Sequence, residues 1–161
     1  MGKLNKTKTD VCEIRNREVF HGYFVGETFE AGVALLGPEV KSLRLGRAQI
    51  SNAFVRANGK GELFLYNSHI AAYEFHTSPD YNDTRPRKLL LHSSEISKIV
   101  VAIEREKAAV IPLKIFFKHG LAKVNVAICK GKKLFDKRET LKRKEAAREA
   151  ERAISSKMRM G

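Results

Sequence analysis

Leu113-Lys114-Ile115-Phe116-Phe117-Lys118-His119-Gly120-Leu121-Ala122-Lys123-Val124-Asn125-Val126-Ala127-Ile128-Cys129 decides the fold class. Leu113 to Phe117 is strand-like, and His119-Gly120 marks a turn. On the return, Val124, Val126 and Ile128 alternate with Asn125, Ala127 and Cys129. That is period two, the pattern of a strand with one buried face. A second hairpin stands upstream. Phe54-Val55-Arg56-Ala57 and Glu62-Leu63-Phe64-Leu65-Tyr66 flank Asn58-Gly59-Lys60-Gly61. Asn-Gly supplies the positive φ values of tight hairpins, although this loop is longer than the two-residue type. Gly32-Val33-Ala34-Leu35-Leu36 reads as a short buried strand ended by Gly37. Helical stretches lie between the hairpins rather than after every strand, which does not suit a βαβ series. The expected class is mainly β: a small closed antiparallel barrel with short capping helices.

Two stretches supply the caps. Gly37-Pro38-Glu39-Val40-Lys41-Ser42-Leu43-Arg44-Leu45-Gly46 reads as a short helix, with Pro38 in its first turn and Gly46 at its stop. Val40 and Leu43 share the inward side; Lys41 and Arg44 share the outward one. In Arg85-Pro86-Arg87-Lys88-Leu89-Leu90-Leu91-His92, three cations abut three leucines. Leu89, Ile96 and Val100 recur at helical spacing, which predicts a helix from Arg87. Its first turn would then gather Arg85, Arg87 and Lys88 into a phosphate seat. The alternative is a surface helix that merely begins with basic residues. Between the hairpins and this helix, His76 to Thr84 reads as a mobile, exposed polar loop.

Charge narrows the partner. The 161 residues carry 31 Lys and Arg against 18 Asp and Glu, a net +13. Such a surplus favours a polyanion, with nucleic acid ahead of an acidic membrane surface. No apolar run approaches the roughly 20 residues that span a bilayer. Met1 to Asp10 is polar, so no secretory leader is expected. Cys12 and Cys129 lack metal or redox spacing and read as reduced thiols of a cytoplasmic protein.

The surplus is uneven. Lys130 to Gly161 holds 12 Lys and Arg against 5 Asp and Glu, or +7 in 32 residues. Glu139/Arg143, Glu145/Arg148 and Glu149/Arg152 favour a helix, yet large apolar residues are few, mainly Leu141 and Ile154. Such a helix has little to bury. It is expected to be disordered alone and to fold on a polyanion. The expected domains are a flexible arm at residues 1–15, an RNA-binding barrel at 16–130 and a basic tail at 131–161.

Catalytic patterns are absent. His21, His69, His76, His92 and His119 are scattered, without zinc spacing. No nucleophile elbow or phosphate-binding glycine loop occurs. Glu30, Glu39 and Glu62 read as structural groups or as acceptors for base edges and ribose hydroxyls. No enzyme, metal or cofactor is therefore expected. Aromatics beside cations point to RNA instead: Tyr23 and Phe24 near Arg15 and Arg17, and Phe135 among Lys132, Lys133, Lys137 and Arg138. For Tyr23 a core position is the competing reading.

Several of these motifs, in this order, resemble the SsrA-binding protein family, also called small protein B. They are Phe29-Glu30-Ala31-Gly32, Glu39-Val40-Lys41-Ser42-Leu43-Arg44, Gly61-Glu62-Leu63, Arg85 to His92, and Gly131-Lys132-Lys133 followed by Asp136-Lys137-Arg138. The likeness covers nearly the whole chain. It implies an oligonucleotide-binding-type barrel that binds the tRNA-like domain of transfer-messenger RNA (tmRNA). It implies delivery of that RNA to stalled ribosomes for trans-translation, as alanyl-tmRNA with elongation factor Tu. By resemblance Asn16, Glu30 and Leu90 match positions important for tmRNA binding, with His21, Lys41, Arg44 and Lys88 as neighbours. The tail would enter the vacant mRNA channel as a helix. Gly131 would be its flexible exit. Lys132, Lys133, Asp136, Lys137 and Arg138 would contact rRNA of the decoding region, and Phe135 would stack on a base.

Overall fold

In the computed structural model the hairpin of the opening stretch is longer at both ends than its pattern predicts. The structure describes residues 12–75 and 78–160, with side chains described for all of these except 134–136 and 160. In chain order the elements are β1 (Ile14–Arg15), α1 (Val19–Gly22), β2 (Tyr23–Val33), α2 (Gly37–Arg44), β3 (Ala48–Gln49), β4 (Phe54–Ala57) and β5 (Leu63–Tyr66). Then come β6 (His69–Ile70), β7 (Arg87–Leu90), α3 (Ser93–Glu104), β8 (Ala109–Lys118), β9 (Leu121–Gly131) and α4 (Leu134–Met160).

β8 and β9 pair antiparallel from Ala109↔Cys129 to Lys118↔Leu121. His119 and Gly120 turn the chain with φ of 52° and 76°. Two positive φ values in a two-residue loop match the twist of the flanking strands. β9 pairs onward with β2, β2 with β7, β7 with β5, β5 with β4, and β4 returns to β8. The sheet thus closes into a ring of six antiparallel strands, as the hairpins led us to expect. Its narrowest seam is β4–β8, joined by the single register pair Val55↔Val110. β1 extends the same edge of β8, so the sheet takes in the last two residues of the segment expected to be an arm. The arm's first residues, 1–11, lie outside the described residues.

Inside the ring, Leu63, Leu65, Leu89, Val124 and Val126 are fully buried, and Ile99 of α3 joins them. Each such side chain contributes roughly 1.5–3 kcal/mol by leaving water. Ile96, Val100 and Ile103 set the rest of α3's apolar side on that core. Leu43 and Val40 do the same for α2, as their spacing predicts. Lys41 and Arg44 stay exposed.

Three local expectations are corrected. First, Arg87 does not open a helix: Arg87–Leu90 is strand β7, and the helix begins at Ser93. Arg87 and Leu89 point inward while Lys88 and Leu90 point outward. Leu89 fitted a helical spacing only because Ile96 and Val100 do lie on a helix. Second, of the run expected to be a buried strand only Gly32 and Val33 are strand; half-buried, they end an 11-residue strand that starts at Tyr23. Its register against β9 shifts between Val25 and Thr28. That bulge breaks the alternation a sequence reader looks for. Gly26 sits there because a Cβ would stand 2.8 Å from the Ile128 carbonyl oxygen. Third, the positive φ of the β4–β5 loop falls at Gly61, not at Gly59. Asn58 instead accepts from the Lys60 and Glu62 amides through Oδ1, both at 2.9 Å.

Candidate nucleic-acid interface

The outer face of the ring is built by strand alternation. Leu89, Ala31, Val124 and Ile115 point into the core, so their neighbours point out. Leu90, Gly32, Lys123 and Phe116 stand opposite one another across β7, β2, β9 and β8. Glu30, Asn125 and Lys114 form the next row. Leu90 keeps 55% of its surface open, an unusual loss for a leucine inside a sheet. At Gly32 the row has no side chain, and a Cβ there would lie 3.3 Å from that of Leu90. Lys118 reaches across to Glu30 at 3.4 Å, and Lys114 lies 5.0 Å from the centre of the Phe116 ring. Lys88 projects from the same side of β7 and pairs with Glu62 at 2.8 Å.

Lys41 and Arg44 are a separate pair of exposed cations on α2. The Arg44 guanidinium covers the ring of Phe117, next to Lys118. Lys41 sits 5.1 Å over Tyr73. The proposed phosphate seat at Arg85, Arg87 and Lys88 does not form. Glu39 is fully buried and accepts from Arg85 at 2.7 Å and from Arg87 at 3.0 Å. Arg87 also donates to the Ser68 carbonyl at 2.8 Å. Both guanidiniums are spent on the interior, so Glu39 is a structural group. Burial pushes its carboxyl up. The Arg85 hydrogen bonds, the Leu36 amide and Arg87 more than offset this and hold it below the ordinary carboxylate range. Glu62 is also held low, by hydrogen bonds from Lys88 and then Asn58.

The root of the tail forms a second group of predicted residues. The Lys132 amide donates to the Gly22 carbonyl, and its ammonium to the Phe20 carbonyl and to Thr140 Oγ1, all at 2.9 Å. The same ammonium lies 5.1 Å over Phe24. Lys144 Nζ comes within 2.8 Å of His21 Nε2. His21 therefore stands beside the tail and not beside Glu30. Tyr23 packs half-buried on the small cluster of Val19, Ile111, Ala127 and Cys129, the core reading of that residue. Gly131 closes β9, and Lys133, Lys137 and Arg138 are exposed. The side chains of Phe135 and Asp136 lie outside the described ones.

Asn16 belongs to neither surface. It is 2% exposed, and its amide nitrogen donates to the carbonyls of Pro112 at 3.2 Å and Ile50 at 3.4 Å. It ties β1 to β8 and lines a 660 Å³ cavity beside the β4–β8 seam. Lys114, Lys118, Lys123 and Phe116 were missed as members of the face. Their alternation along β8 and β9 was the signal that could have found them.

A closed β-ring with a cation-studded outer face and a basic helix hung from one end defines a nucleic-acid-binding class of protein. The family model of SmpB protein matches residues 13–156. The SsrA-binding protein of Shouchella clausii is 47% identical over 97% of this chain and 99% of its own length. That of Syntrophotalea carbinolica is 48% identical over 86% of this chain and 92% of its own length. A solved chain described as "tmRNA-SmpB: a journey to the center of the bacterial ribosome" superposes with a TM-score of 0.64 at 41% identity. That match covers 76% of this chain and 86% of the other. The chain belongs to the SmpB family.

Proposed function

We propose that this protein binds tmRNA and carries it to stalled ribosomes for trans-translation. The observation that carries the reading is the family match along almost the whole chain, joined to a basic ring and a basic, coreless helix. The ring's outer face, with Glu30, Leu90 and Lys88, and the exposed Lys41 and Arg44 of α2 hold the tRNA-like domain. Cations take the phosphates; Leu90 and Phe116 offer apolar contact to exposed sugars and bases. Asn16 acts indirectly, by fixing β1 on β8. His21 and the tail root form a separate contact.

The tail works on the ribosome. Lys132, Lys133, Phe135, Asp136, Lys137 and Arg138 meet rRNA of the decoding region, with Gly131 as the exit. The helix beyond them lies in the vacant mRNA channel. Almost all of its side chains are exposed, so free in solution it frays and it is fixed by rRNA. Alanyl-tmRNA arrives with elongation factor Tu. Likeness to the SsrA-binding proteins supports a non-catalytic, cytoplasmic role. Among the described residues no helix is long and apolar enough to cross a membrane.

Truncation after Gly131 tests the division of labour, because it leaves every strand of the ring. Affinity for tmRNA should persist while peptide tagging on stalled ribosomes is lost. Normal tagging by the truncated chain would sink the bipartite mechanism.

A further inference from the structure

We propose that the loop between β6 and β7 carries a base-stacking platform, Tyr73 and Phe75 with Lys41 beside them, that takes an unstacked nucleobase of the bound RNA. This rests on the reading of RNA as the partner and assigns it a further subsite. Phe75 is 76% exposed, the most open aromatic ring among the described residues. It touches Tyr73 in a T-shaped pair with centroids 5.5 Å apart. Lys41 Nζ lies 5.1 Å from the centre of the Tyr73 ring. The fold gains little from displaying Phe75 in this way, since an exposed phenyl ring forgoes the burial that normally makes it stabilising.

Both ends of the loop are tied to the fold. The Ala71 amide donates to the Arg47 carbonyl at 3.0 Å, and the Ile70 amide to the Asp83 carbonyl at 2.9 Å. Tyr81 Oη donates to the Ile70 carbonyl at 2.7 Å. Arg85, at the far end, is fixed on buried Glu39. A loop pinned at both ends presents its rings with less ordering cost on binding.

The surroundings choose the occupant. Lys41, Arg44 and Arg47 are all exposed along the neighbouring α2 and its exit. A base has a π-face for Phe75, and its phosphate has a cation in Lys41. Two isolated rings bordered by cations suit a nucleotide better than an apolar protein surface, which would need a contiguous patch. The base must come from a loop, bulge or single strand, because a paired base has no free face.

The chain contains no tryptophan, so Phe75→Trp introduces a single reporter on the platform. The full-length variant is titrated with tmRNA and its emission followed. Stacking should quench the indole in step with binding. Phe75→Ala should weaken binding roughly tenfold with an unchanged salt slope, because no charge is lost. Circular dichroism of Phe75→Ala should match the wild type, as the ring supports little else. Emission that stays constant while the variant saturates, with Phe75→Ala binding as the wild type does, would overturn the platform and leave the wider function standing. A change in emission with ribosomes alone would overturn it in favour of a different partner. Failure of the wild-type chain to bind tmRNA would sink the functional reading, and the platform with it.

Discussion

Glu39 shows how much one residue can decide. It is fully buried between two guanidiniums, and removing it leaves Arg87 charged in the interior. Glu39→Ala should cost about 3–5 kcal/mol in urea unfolding. The pH dependence follows from the sign of its shift. The carboxyl's folded value is depressed, so its stabilising contribution is complete above the ordinary glutamate value and is lost as pH falls through the folded one. Acid unfolding of the wild type should be steep on that side, and much of the slope should vanish in Glu39→Gln. Cys129 gives a second test. Burial pushes its thiol up to about 11, while Cys12 is partly open. A thiol reagent near neutral pH should label one cysteine quickly and Cys129 only as the chain unfolds. Arg87 was misread for a reason of scale. Its partner Glu39 is 48 residues away, and nothing local to Arg85–His92 reveals that a cation there is neutralised inside. Lys41 and Arg44 were legible because their helix is short, local and amphipathic.

Among elements, the hairpins were the most legible, since alternation and turn residues are local properties. β2 was only partly so. Its bulge hides the period, and its two partners, β7 and β9, lie far along the chain. Gly26→Ala should therefore be disproportionately harmful. The new methyl meets backbone, not a movable side chain, and overpacking of this kind costs typically 1–3 kcal/mol. A drop in the denaturation midpoint with an unchanged m-value would confirm it. For α4 the sequence spoke of helix propensity and of nothing to bury, and both statements fit an exposed 27-residue helix attached near its start. Hydrogen exchange should be fast in its distal turns and slowest beside Lys132 and Thr140. Deleting residues 145–161 should leave the midpoint of the ring's unfolding unchanged.

At the scale of the whole molecule, the net +13 makes RNA affinity a function of salt. Lys41→Ala and Arg44→Ala should each lower the log–log salt slope by about 0.9 per lost phosphate contact. Leu90→Ala should weaken binding with the slope intact. A slope unmoved in both charge variants would place the RNA face elsewhere. Composition made this polyanion preference readable, but the particular RNA entered only through family likeness. The way Glu30 and Leu90 meet on one surface needed the register of two strands, β2 and β7.

Ring closure also governs how the protein is made. β2 is among the first strands to leave the ribosome, yet its main partner, β9, is the last. Until β9 has been synthesised, β2 and β8 both present bare edges, the kind that pair with whatever strand is near. A messenger cut short before β9 would therefore yield a product with no closed ring, open to proteases and prone to aggregate. Closure of the ring thus waits on β9, the last strand made.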